Sequence, residues 1–264
     1  MTERKYGIEI EAFGVDRFEL QNKLWQAGII VHVEAYNHET RDHWKITSDG
    51  SISGENPFEL VSPPLQGERG IEEIKKVCQV LAVLGAQVNK SCGFHDHHDA
   101  AGLTAQSVRS LIGMYIRFQG VLDELVAPSR RGDNNRFCRA VTPEVYYSAF
   151  QKDSVSAIAD SCQPDRYYKL NLKAYIRHNT VEFRQHQGTV DAEKIVNWIR
   201  LTQAMVESAE KLNHAKLDLT NRPVRPDHDR WHFWAMLKKV LSVSEFEGLR
   251  AYYGRRRKEL AAAA

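Results

Sequence analysis

Apolar and polar residues alternate one for one in short stretches of this chain and step by threes and fours in longer ones. Residues 5–13 alternate, with Ile8 and Ile10 set against Glu9 and Glu11. On an extended strand, residues two apart share a face of the sheet. The same spacing pairs His95 with His97, and sets Glu182, Arg184 and His186 against Val181 and Phe183. The pattern predicts a sheet with one apolar side and one side bearing charged groups.

Between these strands the periodicity changes. Residues 16–27 carry Phe18, Leu20, Leu24 and Ala27 at helical spacing, and Gly28 follows as a stop. Strands are expected at 29–35 and 43–47, then a turn at Ser48–Ser51 and a strand from Phe58 to Val61 ended by Pro63 and Pro64. Ile71, Ile74, Val77, Leu81 and Leu84 predict a helix that stops at Gly85. A long helix over Thr104–Val126 has Thr104 as its cap and closes at Pro128; a polar loop, SRRGDNNR, comes next. One or two short helices fit 143–160, a hairpin around His178 and Asn179 joins strands at 167–175 and 179–186, and a helix capped by Asp191 runs over 191–213. From Trp231 to Leu260 the chain is helical again, Trp231, Phe233 and Trp234 reading as core, with Ala261–Ala264 as a fraying end. Strands and helices mixed in this irregular order predict one α+β domain: a mostly antiparallel, curved sheet, helices on its apolar face, and an open concave face for chemistry.

Composition narrows the class without naming a partner. With 264 residues, 42% hydrophobic and 27% charged, the chain can bury a core of ordinary size. A net charge of +2 gives no basic excess of the kind that marks nucleic-acid binders. Cys78, Cys92, Cys138 and Cys162 have no paired spacing and read as reduced thiols in a cytoplasmic protein. No signal-like N-terminus and no apolar run of membrane-spanning length is expected.

The charged side of the sheet offers carboxylates at Glu9, Glu11, Glu59 and Glu182 and an imidazole at His95. Such hard oxygen-rich sets suit Mg²⁺ or Mn²⁺ better than Zn²⁺. Four carboxylates brought into one cleft repel one another unless cations neutralise them, and bound divalent ions favour a phosphate substrate. Arg184 can fork onto phosphate oxygens, and Arg166, Lys169 and Arg177 lie just upstream. Each pattern also has a plain structural reading: a Glu pair as the solvated side of a strand, Glu182 and Arg184 as an ion pair, His95–Asp99 as a polar edge.

In order and spacing, GIEIEAF at 7–13, DGSI at 49–52, FELVSPPL at 58–65, VNKSCGFHDHHD at 88–99, RYYKLNL at 166–172 and TVEFRQHQGTVDAEKIVNW at 180–198 resemble the amidoligase family of the glutamine synthetase and glutamate-cysteine ligase superfamily. The resemblance covers roughly residues 5–200 of a single catalytic domain, with a helical extension at about 226–260. It implies an ATP-dependent carboxylate–amine ligase acting through an acyl phosphate, with small-molecule or peptide substrates. It further implies two Mg²⁺ or Mn²⁺ ions, one held by Glu11 and Glu59 and the other by Glu9, His95 and Glu182. His97 and Arg184 would meet the ATP phosphates, aided by Arg166 and Lys169, and Arg184 and Arg177 would stabilise the transferring phosphoryl group. This chain departs from the pattern in two places. Only Glu59 is evident in the second acidic segment, where Glu55 or Asp49 would have to substitute, and Asp96 stands between the histidines on the opposite face, as a structural ion pair.

Rival readings remain open at this point. His95, His97 and Asp99 have the spacing of a zinc hydrolase cluster, although the 165 residues that follow are too few for an eight-fold barrel of about 250. Cys92 is a nucleophile only if it escapes packing beside Gly93. A binding protein that keeps the fold without the chemistry is the third. The run Arg255–Lys258, or a rim made with Arg130, Arg131 and Arg136, would be the place for a nucleic acid or another large substrate.

Overall fold

A computed structural model describes residues 3–211 and 225–262. The chain folds into two compact units: one takes in the chain up to Asp99 together with His186–Ile199, the other Ala100–Gln185 and the chain from Arg200 onward. The fold is α+β with mostly antiparallel strand pairing.

The first unit begins with β1 (Tyr6–Ala12), α1 (Arg17–Gln26), β2 (Val31–Val33), β3 (Trp44–Thr47), β4 (Phe58–Val61), α2 (Gly67–Val83) and β5 (Gly93–Asp99). Its strands lie in the order β2-β3-β4-β1-β5. β1 pairs antiparallel with β4 and β5, and β3 with β4; β2 joins β3 in parallel. The alternation read from the sequence is what orients β1: Ile8 and Ile10 are buried, and Glu9 projects from the other face. α2 covers the apolar face, where Trp44 Nε1 donates to Glu73 at 2.6 Å and the Tyr6 hydroxyl to the Gly67 carbonyl at 3.2 Å. Burying Ile71, Ile74, Val77 and Leu81 from one stripe of α2 contributes roughly 1.5–3 kcal/mol per side chain.

Local signals set the ends of α1. The Asp16 carboxylate accepts from the Phe18 and Glu19 amides at 2.9 and 3.0 Å, and Gly28 takes a left-handed φ of +79° at the other end. Phe18, expected on the apolar stripe, is instead 61% exposed, because Leu20 and Leu24 alone fill the buried side of this helix. α2 starts at Gly67, a turn before the apolar stripe predicts, since its first turn is polar.

The second unit carries α3 (Ala105–Asp123), α4 (Pro143–Ala149), α5 (Val155–Ser161), β6 (Leu170–Asn171), α6 (Ala174–His178) and β7 (Thr180–Gln187), whose last two residues belong to the first unit. α7 (Ala192–Lys211) is likewise shared at Ile199, and α8 (Pro226–Leu237) and α9 (Val243–Ala262) follow. Thr104 and Ser107 form a reciprocal capping box at the start of α3, which accounts for the long helix predicted there. The Asp191 side chain accepts from the Glu193 and Lys194 amides ahead of α7. Residues 212 and 213, at the end of that predicted helix, and Ala263 and Ala264 lie outside the described residues.

The expected hairpin exists only in part. β6 and β7 pair antiparallel, Leu170 opposite Phe183 and Asn171 opposite Glu182, but residues 174–178 form the short helix α6. Asn179 ends it in the left-handed region at φ +53°, a conformation asparagine tolerates, and so turns the chain into β7. Trp231 is 66% exposed rather than core, whereas Phe233 is fully buried.

Candidate active site

Strand register assembles the charged face of the first unit. Glu11 lies directly opposite Glu59 across β1 and β4, Glu9 opposite His95 across β1 and β5, and Thr47 opposite Glu59 across β3 and β4. Residues directly opposed in a sheet point to the same side, where two like charges are destabilising. A cation between Glu11 and Glu59 would relieve that repulsion, and His95 stands beside them as a further donor.

The imidazole of His95 faces both glutamates of β1. Its Nδ1 is 2.9 Å from Glu9 Oε2 and its Nε2 3.7 Å from Glu11 Oε1. His97 Nε2 stands 3.4 Å from Glu9 Oε1. Burial alone would raise the pKa of Glu9, but the hydrogen bonds and charges of His95 and His97 outweigh it and hold the carboxyl well below the usual carboxylate range. Glu11 Oε2 accepts from the Gly93 amide at 2.5 Å, and Glu59 Oε2 is 3.4 Å from Thr47 Oγ1.

Glu11, Glu59 and His95 each present one ligand atom within 4.8 Å of the others. Gly93 keeps that space open: a Cβ there would stand 2.7 Å from His95 Nε2 and 3.4 Å from Glu11 Oε2. Two carboxylates and one imidazole with an open flank fit a hard divalent cation of the Mg²⁺ or Mn²⁺ type. Glu55 is exposed and Asp49 caps its own turn by accepting from the Ser51 amide, so neither reinforces the thin acidic segment at Glu59. Lys45, which sequence reasoning passed over, alternates with Trp44 and Ile46 on β3. Burial pushes its pKa down, and its Nζ donates to the Asn37 and Glu39 carbonyls at 3.2 and 2.7 Å, pinning the loop before β3.

In the second unit, Glu182 and Arg184 sit two apart on β7 and form a buried ion pair. Asn171, opposite Glu182 in register, donates to its other oxygen at 2.5 Å. Arg184 also lies 6.0 Å from the Tyr167 ring centre. Lys169 is fully buried, its Nζ 2.6 Å from Asp123 Oδ1, an oxygen that also accepts from Gln185 Nε2 at 2.6 Å. Arg166 stacks its guanidinium 5.4 Å from the Tyr167 ring centre. Arg177 falls on α6, in the connection between β6 and β7, and is exposed.

The opposite side of β5 is closed. Asp96 and His98 are both fully buried, 2.9 Å apart, and Trp198 Nε1 donates to the second Asp96 oxygen at 3.0 Å. Asp96 thus has the structural partner that its position between the histidines required. His186 breaks the alternation predicted through β7: it packs against Phe94 at 5.7 Å and Trp198 at 5.1 Å, in this same packed layer. Among the described residues, Asp99 joins neither His95 nor His97 in a ligand cluster, which removes the geometric basis of a zinc site there. Cys92 is fully buried, and a Cβ on Gly188 would come within 2.4 Å of its own, so this thiol is packed rather than presented.

Comparison with known proteins decides the family. A family model described as "Putative amidoligase enzyme" matches residues 2–206. The chain belongs to that family. Among solved structures, the complex between prokaryotic ubiquitin-like protein Pup and its ligase PafA matches with a TM-score of 0.50 and 11% identity over 99% of this chain. A structure titled as a novel glutamine synthase homolog matches with a TM-score of 0.49 and 13% identity, covering 99% of this chain and 67% of that one. At such identities the likeness to the Pup ligase complex concerns the fold, and this amidoligase-family chain spans 64% of the chain it matches there. No curated protein matches the sequence. No described helix is long and apolar enough to cross a membrane.

Proposed function

We propose that this protein is an amide-bond-forming ligase that activates a carboxylate with ATP and a divalent cation. The observation that carries the reading is the Glu11–Glu59–His95 cluster with its Gly93 gap, in a chain of the amidoligase family. Glu11, Glu59 and His95 would hold an ion on this face of the first unit. Bound there, Mg²⁺ or Mn²⁺ would neutralise phosphate charge during transfer. A substrate carboxylate oxygen attacks the γ-phosphorus and ADP leaves; an amine nitrogen then attacks the acyl carbon, phosphate leaves, and the amide forms as the nitrogen loses its proton.

The protein's own groups divide the remaining work. Glu9, kept ionised by His95 and His97, sustains the negative potential that a cation needs. His97 and Arg184 are assigned to the phosphates, as the family resemblance implies, and Arg166 is a further candidate. Tyr167 and Asn171 hold Arg184 and Glu182 in place. Lys169 is left out of phosphate binding, because Asp123 already neutralises it. Substrates are amines and carboxylates of small molecules or peptides; the solved complex of Pup with its ligase makes a protein substrate a class to include in the screen.

The test is ADP release with Mg²⁺ or Mn²⁺ over a pool of carboxylates, with hydroxylamine present as the acceptor. The reading expects ADP only when a carboxylate is supplied, in equal amount to an acyl hydroxamate. ADP formation without any carboxylate, or amide hydrolysis supported by Zn²⁺ alone, would remove it.

A further inference from the structure

Away from the sheet, the second unit contains a cavity of about 520 Å³ between α3, α8 and α9. Trp231, Trp234, Phe246 and Tyr253 supply its aromatic lining, and Lys238 and Arg250 line it as well. α8 and α9, which supply most of the lining, lie beyond residue 206, where the family match stops; Val121, Glu124 and Leu125 lie within it. Its size falls in the range of small-ligand sites, which are mostly apolar with a few placed polar groups.

The lining already displays the chemistry it recognises. Glu124 accepts from Arg230 Nε at 3.1 Å and Nη2 at 2.9 Å, the two-pronged geometry by which guanidinium reads a carboxylate, and Arg257 Nη1 stands 3.4 Å away. Asp227 takes a further contact from Arg230 at 2.7 Å. Four cations thus face two carboxylates in the lining, and the two carboxylates are taken by Arg230 and Arg257. Lys238 and Arg250 make no ion pair among the described residues; Lys238 Nζ only stands 5.9 Å from the Phe246 ring centre. Trp231, at 66% exposure, leaves a large planar apolar surface uncovered among the described residues.

We propose that this cavity binds a carboxylate carried on a planar apolar body, either a free aromatic acid or the ring-bearing C-terminal residue of a peptide. The rings take the apolar body, and Lys238 and Arg250 take the charge. A nucleic acid fits less well. Glu124 and Asp227 would face its phosphates, and the basic run of α9 is largely engaged, Arg256 by Glu259 and Arg257 by Glu124.

Calorimetric titration of the full chain tests this with 4-phenylbutyrate, its neutral amide, acetyl-Gly-Phe as free acid and as C-terminal amide, and a thymidine oligonucleotide. Both acids, or the one from the true source, should bind at least about tenfold more tightly than the matching amide. Arg250→Glu should weaken that acid by about tenfold and Lys238→Glu by a similar factor. Trp231→Ala should weaken acid and amide alike, with an unchanged melting temperature showing that the fold is intact. Preference for the small acid points to a metabolite, and preference for the peptide acid to a chain terminus. Equal binding of acid and amide, indifference to both charge reversals, binding of the oligonucleotide alone, or no heat with any probe to about 10 mM would overturn the proposal.

Discussion

The two faces of β5 use the same kinds of residue for opposite ends. On one, His95 and His97 lean on Glu9, and His95 shares the space kept open by Gly93 with Glu11 and Glu59. On the other, Asp96 and His98 close on each other and on Trp198 with no exposed surface. A histidine beside a carboxylate is therefore no signature of a site by itself. What distinguishes the faces is whether the donors converge on an open space or finish their bonds among themselves.

The largest effect expected from breaking this contrast is on the open face. Glu59→Gln keeps the size of the side chain but removes a charge from the Glu11–Glu59 pair, and cation-dependent ADP formation should fall on the order of 100- to 1000-fold at an unchanged melting temperature. A loss of fold instead of activity would mean that Glu59 belongs with the packed residues. On the closed face the consequence is reversed. Asp96→Ala leaves buried His98 and Trp198 Nε1 without their acceptor, a cost of about 3–5 kcal/mol, which should lower the melting temperature by roughly 10 °C before any effect on chemistry. Calorimetry on that variant checks it.

Gly93→Ala sharpens the boundary between the faces. The added methyl must displace the His95 ring, so cation affinity should drop about tenfold while stability falls by about 1–3 kcal/mol, read by Mn²⁺ titration and urea melts respectively. The smallest effect belongs to a polar cluster that is neither face. Hydrogen bonding from Arg41 outweighs desolvation and, with His43 and Asn37, brings the Glu34 pKa down to about 2. A depressed carboxylate stabilises the fold above its unfolded value of 4.5 and loses that contribution as pH falls from there toward about 2. The raised pKa of His43 acts with the opposite sign, contributing below 6.5 and fading as pH rises past its folded value. Melting curves of Glu34→Gln should therefore converge with wild type only in acid; a constant offset down to the lowest pH would contradict the assignment.

Much of this contrast is legible in the sequence because strand alternation is a local code. Glu9, Glu11, His95 and His97 follow from period two alone, and so does the placing of Asp96 behind them. What period two cannot carry is register. That Glu11 meets Glu59, that Thr47 also lies against Glu59, and that Asn171 reaches Glu182 depend on which residues stand opposite across strands. The failures have similar causes. Residues 174 and 175 read as strand because a five-residue helix ended by a left-handed asparagine leaves no periodic trace. His186 kept the polar phase of β7 in sequence, yet a ring between Phe94 and Trp198 packs as an aromatic. Phe18 and Trp231 are apolar at helical spacing but exposed, since spacing says which face a residue is on and not what covers that face.

The chemistry proposed for the open face depends on Glu11, Glu59 and His95 holding a divalent cation. Titration of the wild-type chain with Mn²⁺, followed by electron paramagnetic resonance of the free ion, measures this directly and needs no substrate. Wild type should take up Mn²⁺ saturably, and Glu59→Gln should weaken that uptake by at least about tenfold while Asp96→Asn, if folded, leaves it within about twofold. Equal Mn²⁺ uptake by wild type and Glu59→Gln, or none by either, would contradict it.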